Sequence, residues 1–432
     1  MKHFFLLLFL IPFHVVHAQR PDPAPPQERP ILLSGATLHT GTGEVIENAV
    51  VGFAEGKITL VGAAAATTFN PADFRVIDVS GQHLYPGLIL PNAEVGLVEI
   101  SAVRATNDEE EVGELNPNVR ALIAYNTDSD IIPTIRSNGI LTVQTTPRGS
   151  LLSGASSLMQ LDGWNWEDAA VKADDGLHIY WPNLFTRSGW WAEPGGVKKN
   201  ENRDKEIQEL ESLFSEAAAY NPANEAVKNL KLTALKGLFD GSQRLYLHAS
   251  YGKEIVEAVQ FALRHGVQHP VVIGGQDAWM VTDFLKEHNI PVVLSTIHAL
   301  PPRPESNVDH AYELPHRLQE AGITVALDYD DESYFRSRSL PFLAGTAAAY
   351  GVDREEALKM VTSNPAKIMG IDDRLGTVEV GKDATLVVSQ GDLLDMRTSH
   401  VTQAFINGRE ISLDNKHKRL YETYRKKYQL GE

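Results

Sequence analysis

Four stretches of the chain place acids, imidazoles or a guanidinium directly after short apolar runs, and these residue types can do chemistry. "LPNAEVG" carries Asn92 and Glu94 two positions apart, and "LYLHAS" carries His248. "LSTIHALPPR" carries His298 and Arg303, and "VALDYDDES" carries Asp328, Asp330 and Asp331. Imidazoles and carboxylates brought together can ligate a divalent cation or move a proton. Three acids within four residues would repel one another unless a function holds them together. Glu94 can ligate through its carboxylate. Asn92 offers only a neutral amide oxygen, a poor zinc ligand though acceptable for a harder cation. His298 and Arg303 share a loop with two prolines and suit contacts to a polar substrate.

The segments around these residues alternate strand with helix. "RLYLHAS" precedes "GKEIVEAVQFALRHGV", "HPVVIGG" precedes "AWMVTDFLKEHN", and "LPHRLQEAG" precedes "ITVALDY". Strand, helix, strand at this spacing predicts a parallel sheet, and residues 87–371 are enough chain for a (β/α)8 TIM barrel. In such a barrel chemistry sits at the C-terminal strand ends, which is where the four stretches fall. Residues 31–86 and 372–432 instead show short strand-forming runs separated by glycine turns. Neither end has enough strands to bury a sheet face alone, so both are expected to share one composite β-sandwich domain, followed by a C-terminal helix.

The chain opens with Lys2, an apolar run from Phe4 to Phe13, and Ala18 before Gln19. This order predicts a signal peptide over residues 1–18, an exported and periplasmic (or secreted) protein, and a proline-rich linker over 19–30. The apolar run is too short to span a bilayer. The absence of cysteine excludes disulfides, thiol nucleophiles and thiolate-bound zinc. A net charge of −17 argues against nucleic acid and anionic membranes as partners. Trp164, Trp166, Trp181, Trp190 and Trp191 fall within 28 residues, dense enough for a wall over the barrel mouth or a subunit contact, with plain packing as the alternative. The acidic run Thr106 to Glu114 should lie near that mouth as a solvated loop.

The ordered series of segments resembles the amidohydrolase superfamily, particularly its imidazolonepropionase-like branch. "GATLHTGTGEVIENAVVGFAEGKITLVG" is similar to the opening β-module, and "DVSGQHLYPGLI" to the lead into the first barrel strand. "TSNPAKIMG…LGTVEVGKDATLVV" is similar to the closing helix and returning sheet, and is the most specific piece. The resemblance covers nearly all of the chain after residue 18. It implies hydrolysis of C–N bonds by a water activated on a divalent metal, with the strand-8 aspartate as the base. Carried over position by position, the metal ligands become Asn92, Glu94, His248 and Asp330, with Asp330 also catalytic and with Asp328 or Asp331 as alternatives of register.

The pattern is broken in three places. Asn92 and Glu94 stand where two histidines are expected, Gly274 or Gly275 stands where the strand-6 histidine is expected, and no lysine fits as a carboxylated ligand. The resemblance therefore implies a reduced site that holds one divalent ion, zinc first, or none. Two readings follow. One is an atypical hydrolase of cyclic amides or small peptide-like substrates. The other is a non-catalytic binding or scaffolding subunit that pairs with an active amidohydrolase. A homo-oligomer is compatible with both, and in both His298 and Arg303 contact the small molecule.

Overall fold

The computed structural model describes residues 22–430 apart from 191, 225–226, 296, 302, 304 and 330–333. The expected signal peptide and its cleavage site lie outside the described residues.

Strands from the two ends of the chain build one sheet. From the N-terminal part come β1 (Ile31–His39), β2 (Val45–Ala54), β3 (Lys57–Ala63), β4 (Arg75–Asp78) and β5 (His83–Pro86). Barrel strands follow: β6 (Leu88–Ala93), β7 (Ile140–Thr145), β8 (Leu152–Gln160) and β9 (Ala170–Tyr180). A separate hairpin, β10 (Phe185–Trp190) and β11 (Glu193–Lys199), precedes β12 (Arg244–Ala249), β13 (Pro270–Gly274), β14 (Val292–Leu294) and β15 (Val325–Leu327). The chain then returns as β16 (Leu386–Ser389), β17 (Val401–Ile406) and β18 (Arg409–Glu410).

The first sheet runs β18-β17-β16-β5-β1-β2-β3, with β4 on β1. Its seam between the two ends is β5 against β16, antiparallel, with Leu386 opposite Pro86 and Val388 opposite Leu84. Side-chain alternation decides what each face covers. Leu386, Val388 and Phe405 pack with Leu33, Val51, Phe53 and Leu84 in the core of this module. Val387, Ala404 and Ile406 point the other way and join the core of the barrel. The expectation that both ends share one module is met, and the same strands weld that module to the barrel.

The barrel sheet runs β15-β14-β13-β12-β9-β8-β7-β6. Seven of its strands are parallel, but β8 is antiparallel to both β7 and β9. The cause is local: "TTPRGS" makes a tight return after β7, with Gly149 at φ +95, so a hairpin stands where a helix would otherwise cross over. The helix Gly252–Arg264 shows how the outer layer is held, burying Ile255, Ala258, Val259, Phe261 and Ala262 along one stripe.

The proline-rich segment is not free of the fold. Ala24 N donates to Asp162 Oδ2 at 3.1 Å, and Gln27 Nε2 donates to Phe53 O at 2.9 Å. Trp191 lies outside the described residues, and the described tryptophans do not form one wall. Trp181 is buried against Phe261, Trp164 is exposed at the opposite end of the barrel from the mouth, and Trp190 is exposed on the β10–β11 hairpin.

Candidate functional site

The floor of the barrel mouth is set by the end of β6. Its pairing with β7 slips between Leu90 and Ala93, and Asn92 occupies the slip at φ +49 with its side chain buried. Asparagine tolerates this left-handed backbone better than most residues. The slip breaks the simple alternation that would make Asn92 and Glu94 equivalent inward-facing positions. They nevertheless converge on a third residue, Arg148, supplied by the return between β7 and β8.

Arg148 Nε donates to Glu94 Oε1 at 2.7 Å, and its Nη1 donates to Asn92 Oδ1 at 2.5 Å. Its Nη2 donates to Asn92 O at 2.7 Å, and Nη1 also donates to Tyr180 OH at 3.1 Å. Asn92 Nδ2 in turn donates to Asp328 Oδ2 at 2.7 Å, a contact that crosses the seam between β6 and β15. Asp328 directly follows β15 and is fully buried. Asp330, the expected strand-8 base and ligand, lies outside the described residues; among those described, Asp328 is the strand-8 acid that meets strand 1. Glu109, in the acidic run beside Arg148, has its carboxyl pushed up by burial, with Glu94 adding to the effect. A single guanidinium thus stands among several carboxylates.

His248 lines the same space from the end of β12. Its Nε2 lies 2.9 Å from Nδ1 of His178, a residue of β9 that is wholly buried. His178 Nε2 meets Ser156 Oγ at 2.8 Å, and Ser156 Oγ donates to Asp175 Oδ1 at 2.7 Å. That ordering fixes the tautomers. Ser156 spends its proton on Asp175, so it accepts from His178 Nε2–H, and His178 Nδ1 accepts from His248 Nε2–H. His178, accepting at Nδ1, is therefore neutral, and depressed pKa values favour the neutral form of both rings. Burial is the main cause, and the nearby Arg148 charge adds to it, holding both well below the ordinary histidine pKa. Tyr180 stacks on His248 with ring centroids 4.1 Å apart. Asp175 also accepts from Tyr246 OH at 2.6 Å and Gln144 Nε2 at 3.1 Å, and Gln144 Oε1 accepts from Asn92 N at 2.9 Å. The network closes on itself.

Other expected site residues are placed differently. His298 meets Thr346 Oγ1 at 2.7 Å, and partial burial lowers its pKa although the residue as a whole is exposed. Arg303 makes a two-pronged ion pair with buried Asp277, at 3.0 and 2.6 Å, which ties the loop after β14 to the loop after β13. Neither is bonded to Arg148 or His248. The strand-6 position cannot carry a ligand. Gly274 and Gly275 have φ of +101 and +63, and a Cβ on Gly275 would stand 2.6 Å from Val292 Cγ1.

Among the described residues no group of three or more histidines and carboxylates is placed to hold a metal ion. The donors expected from strand 1 are committed to Arg148, and a divalent cation beside them would sit against a like charge. The residues described do not fit the metal that the family resemblance implies. Sequence reasoning missed Arg148, His178 and Tyr180. Arg148 follows the apolar run "ILTVQTTPR", so the rule that picked out His248 could have found it.

The comparisons agree with this architecture. An amidohydrolase from Thermotoga maritima superposes with a TM-score of 0.76 at 25% identity, covering 88% of this chain and 99% of that one. The amidohydrolase family signature matches residues 226–411. Over those residues the chain resembles the amidohydrolase family, and its fold is that of the amidohydrolase superfamily. Among curated relatives, an adenine deaminase of Clostridium botulinum is 20% identical over 389 residues, 89% of this chain and 57% of that enzyme. A 5-methylthioadenosine/S-adenosylhomocysteine deaminase of Teredinibacter turnerae is 32% identical over 94 residues, 19% of this chain and 21% of that enzyme. The chain thus spans less than two thirds of either curated relative.

Proposed function

We propose that this chain of amidohydrolase-superfamily fold uses its barrel mouth as a metal-free binding site for a small molecule, with Arg148 supplying the positive charge that a divalent ion supplies elsewhere. The observation that carries this reading is the guanidinium bonded at once to Glu94 and Asn92. A buried acid cluster needs a countercharge, and an arginine in cis provides one that needs no metal supply. Neutral His248, Tyr180 and Asp328 then offer hydrogen-bonding groups around the guanidinium. Elemental analysis of protein purified without chelator tests the proposal. We expect well under one transition metal per chain; about one tightly held zinc per chain overturns it.

The second reading, hydrolysis of C–N bonds, draws on the two deaminase relatives and on the geometry of His248, whose Nδ1 is left unprotonated by the tautomer order. Turnover of adenine or a cyclic amide that depends on added zinc would favour it. We also infer export, from Lys2, the apolar run and Ala18. Intact mass of the secreted protein is expected to begin at Gln19.

A further inference from the structure

The C-terminal helix Lys416–Lys427 is tied down at its start and covered nowhere along its length. Asn415 caps it, accepting from Lys418 N at 2.9 Å, and Asn415 Nδ2 donates to Ser137 Oγ at 3.1 Å. None of the helix's 12 residues is buried. Leu420, Tyr421, Tyr424 and, just past the end, Tyr428 recur at helical spacing as an exposed stripe, Tyr421 by 64%. A lone helix of this length is marginal in water, and an amphipathic one is normally stabilised by what its stripe packs on. Six lysines and arginines stand on it against one glutamate, in a chain whose net charge is −17.

A segment of opposite sign lies at the other end of the barrel. Between Glu99 and Glu114 six acids stand against one base, Arg104. Asp108, Glu110, Glu111 and Glu114 are exposed. Ile100, Val103 and Val112 are exposed among them, Val112 by 86%. Each segment thus offers apolar side chains among charges, with an equal and opposite excess.

Both segments lie on one side of the barrel. At the mouth, Arg148 N donates to Glu109 O at 2.7 Å. Leu97 and Val98 pack on Ala121 of the helix Ala121–Ala124, and Asn126 Nδ2 donates to Glu99 Oε1 at 3.2 Å. Thr127 Oγ1 then donates to Trp164 O at 3.2 Å. Trp164, Lys416 and Arg419 share one small cavity with Gln160, which ends the antiparallel β8 and pairs with Thr142 near the start of β7. The basic helix therefore starts at the end of the barrel opposite Arg148. Ile123 and Trp164 are exposed along this path, Trp164 by 66%. Single apolar residues on a surface are ordinary, but a series of them along one side, rimmed by charge, marks a contact surface.

The arrangement says what covers it. A two-fold axis across the middle of this side sets two copies antiparallel, and each helix then meets the other copy's acidic segment. Both contacts form at once, so the assembly closes as a dimer. An anionic membrane, by contrast, would be repelled by the acidic segment on the same side and by the charge of the whole chain. We propose that this side of the barrel is a homodimer interface, in which the basic helix of each copy docks on the acidic segment of the other. The interface uses exposed residues outside the Arg148 hydrogen bonds, so it stands independently of the reading given for the mouth.

Sedimentation velocity of the full chain at micromolar concentration should find a dimer. Raising NaCl from about 0.05 M to about 0.5 M should weaken it by about tenfold or more, because salt screens these charges. Lys426→Glu with Lys427→Glu should be monomeric, and so should Glu111→Lys with Glu114→Lys. Each should keep the wild-type melting temperature, since all four side chains are exposed. Mixing the two variants should restore a dimer, because both contacts then pair opposite charges again. Tyr421→Gln changes no charge and should weaken the dimer by about tenfold through the lost aromatic contact. A wild-type monomer at high micromolar concentration, a dimer indifferent to both charge reversals, or no dimer on mixing the folded variants overturns the proposal. A monomer that sediments with phosphatidylserine vesicles through Lys426 and Lys427 makes a membrane the occupant and overturns it as well.

Discussion

Arg148 separates two ways of repairing this site, because it occupies the place where strand-1 histidines would need a cation. Replacing Asn92 and Glu94 by histidine gives the residue types zinc prefers, and histidine also tolerates the φ of +49 at position 92. The guanidinium would still lie among those rings, so we expect Asn92→His with Glu94→His to bind zinc no better than wild type. Adding Arg148→Ala should raise zinc affinity by about tenfold or more, ~1.4 kcal/mol. Calorimetry on both variants decides; strong zinc binding by the double variant alone would mean that Arg148 is no obstacle. The paired histidines carry a second prediction. Their folded pKa values are depressed, so the unfolded chain takes up protons near pH 6.5 that the folded chain refuses. The sign is therefore loss of stability as pH falls below about 6.5, and none above it. The slope approaches ~1.4 kcal/mol per pH unit for each histidine. Urea melts between pH 7.5 and 5.5 should show it, and His248→Gln should make the slope shallower. Equal slopes in the two proteins would remove His248 from the account.

At the level of elements, the sequence made most of the fold legible and much less of the site. Strand-helix alternation after "RLYLHAS" and "HPVVIGG" follows from side-chain periods that are local, and β12, β13 and their neighbours stand where those periods put them. Arg148 was not legible as a partner of Glu94 because 54 residues separate them, and only the tertiary fold, including the β7–β8 return, brings them together. Asp175, His178 and Ser156 read as strand residues in sequence, and only the pairing of β8 with β9 makes them a network. The strand-6 glycines show the reverse case, where a missing residue type was visible and the backbone explains it. Gly275→Ala should destabilise the protein by about 1–3 kcal/mol, from a strained positive φ together with the contact to Val292. Thermal melts check this. An unchanged melting temperature would mean that β13 can shift, and that the strand-6 histidine could have been accommodated.

For the whole molecule, the arrangement that matters is that the chain leaves its first sheet, builds the barrel, and returns to finish that sheet. Leu386, Val388 and Phe405 arrive well over 300 residues after their partners Leu33 and Val51, and Val387, Ala404 and Ile406 fasten the same strands to the barrel. Barrel and module therefore fold as a linked pair, and the mouth depends on that link through β6, which follows β5 after one residue, Gly87. A chain ending at residue 371 would keep every residue of the Arg148 network and lose β16 to β18. It would expose β5 along its edge and uncover the apolar faces that Val387 and Phe405 close, the two features that promote edge-to-edge association. We expect this truncated chain to aggregate on expression, although every side chain around Arg148 is present. Light scattering after chromatography is the measurement, and a soluble monomer with one cooperative melt would show that the barrel stands without its returning strands.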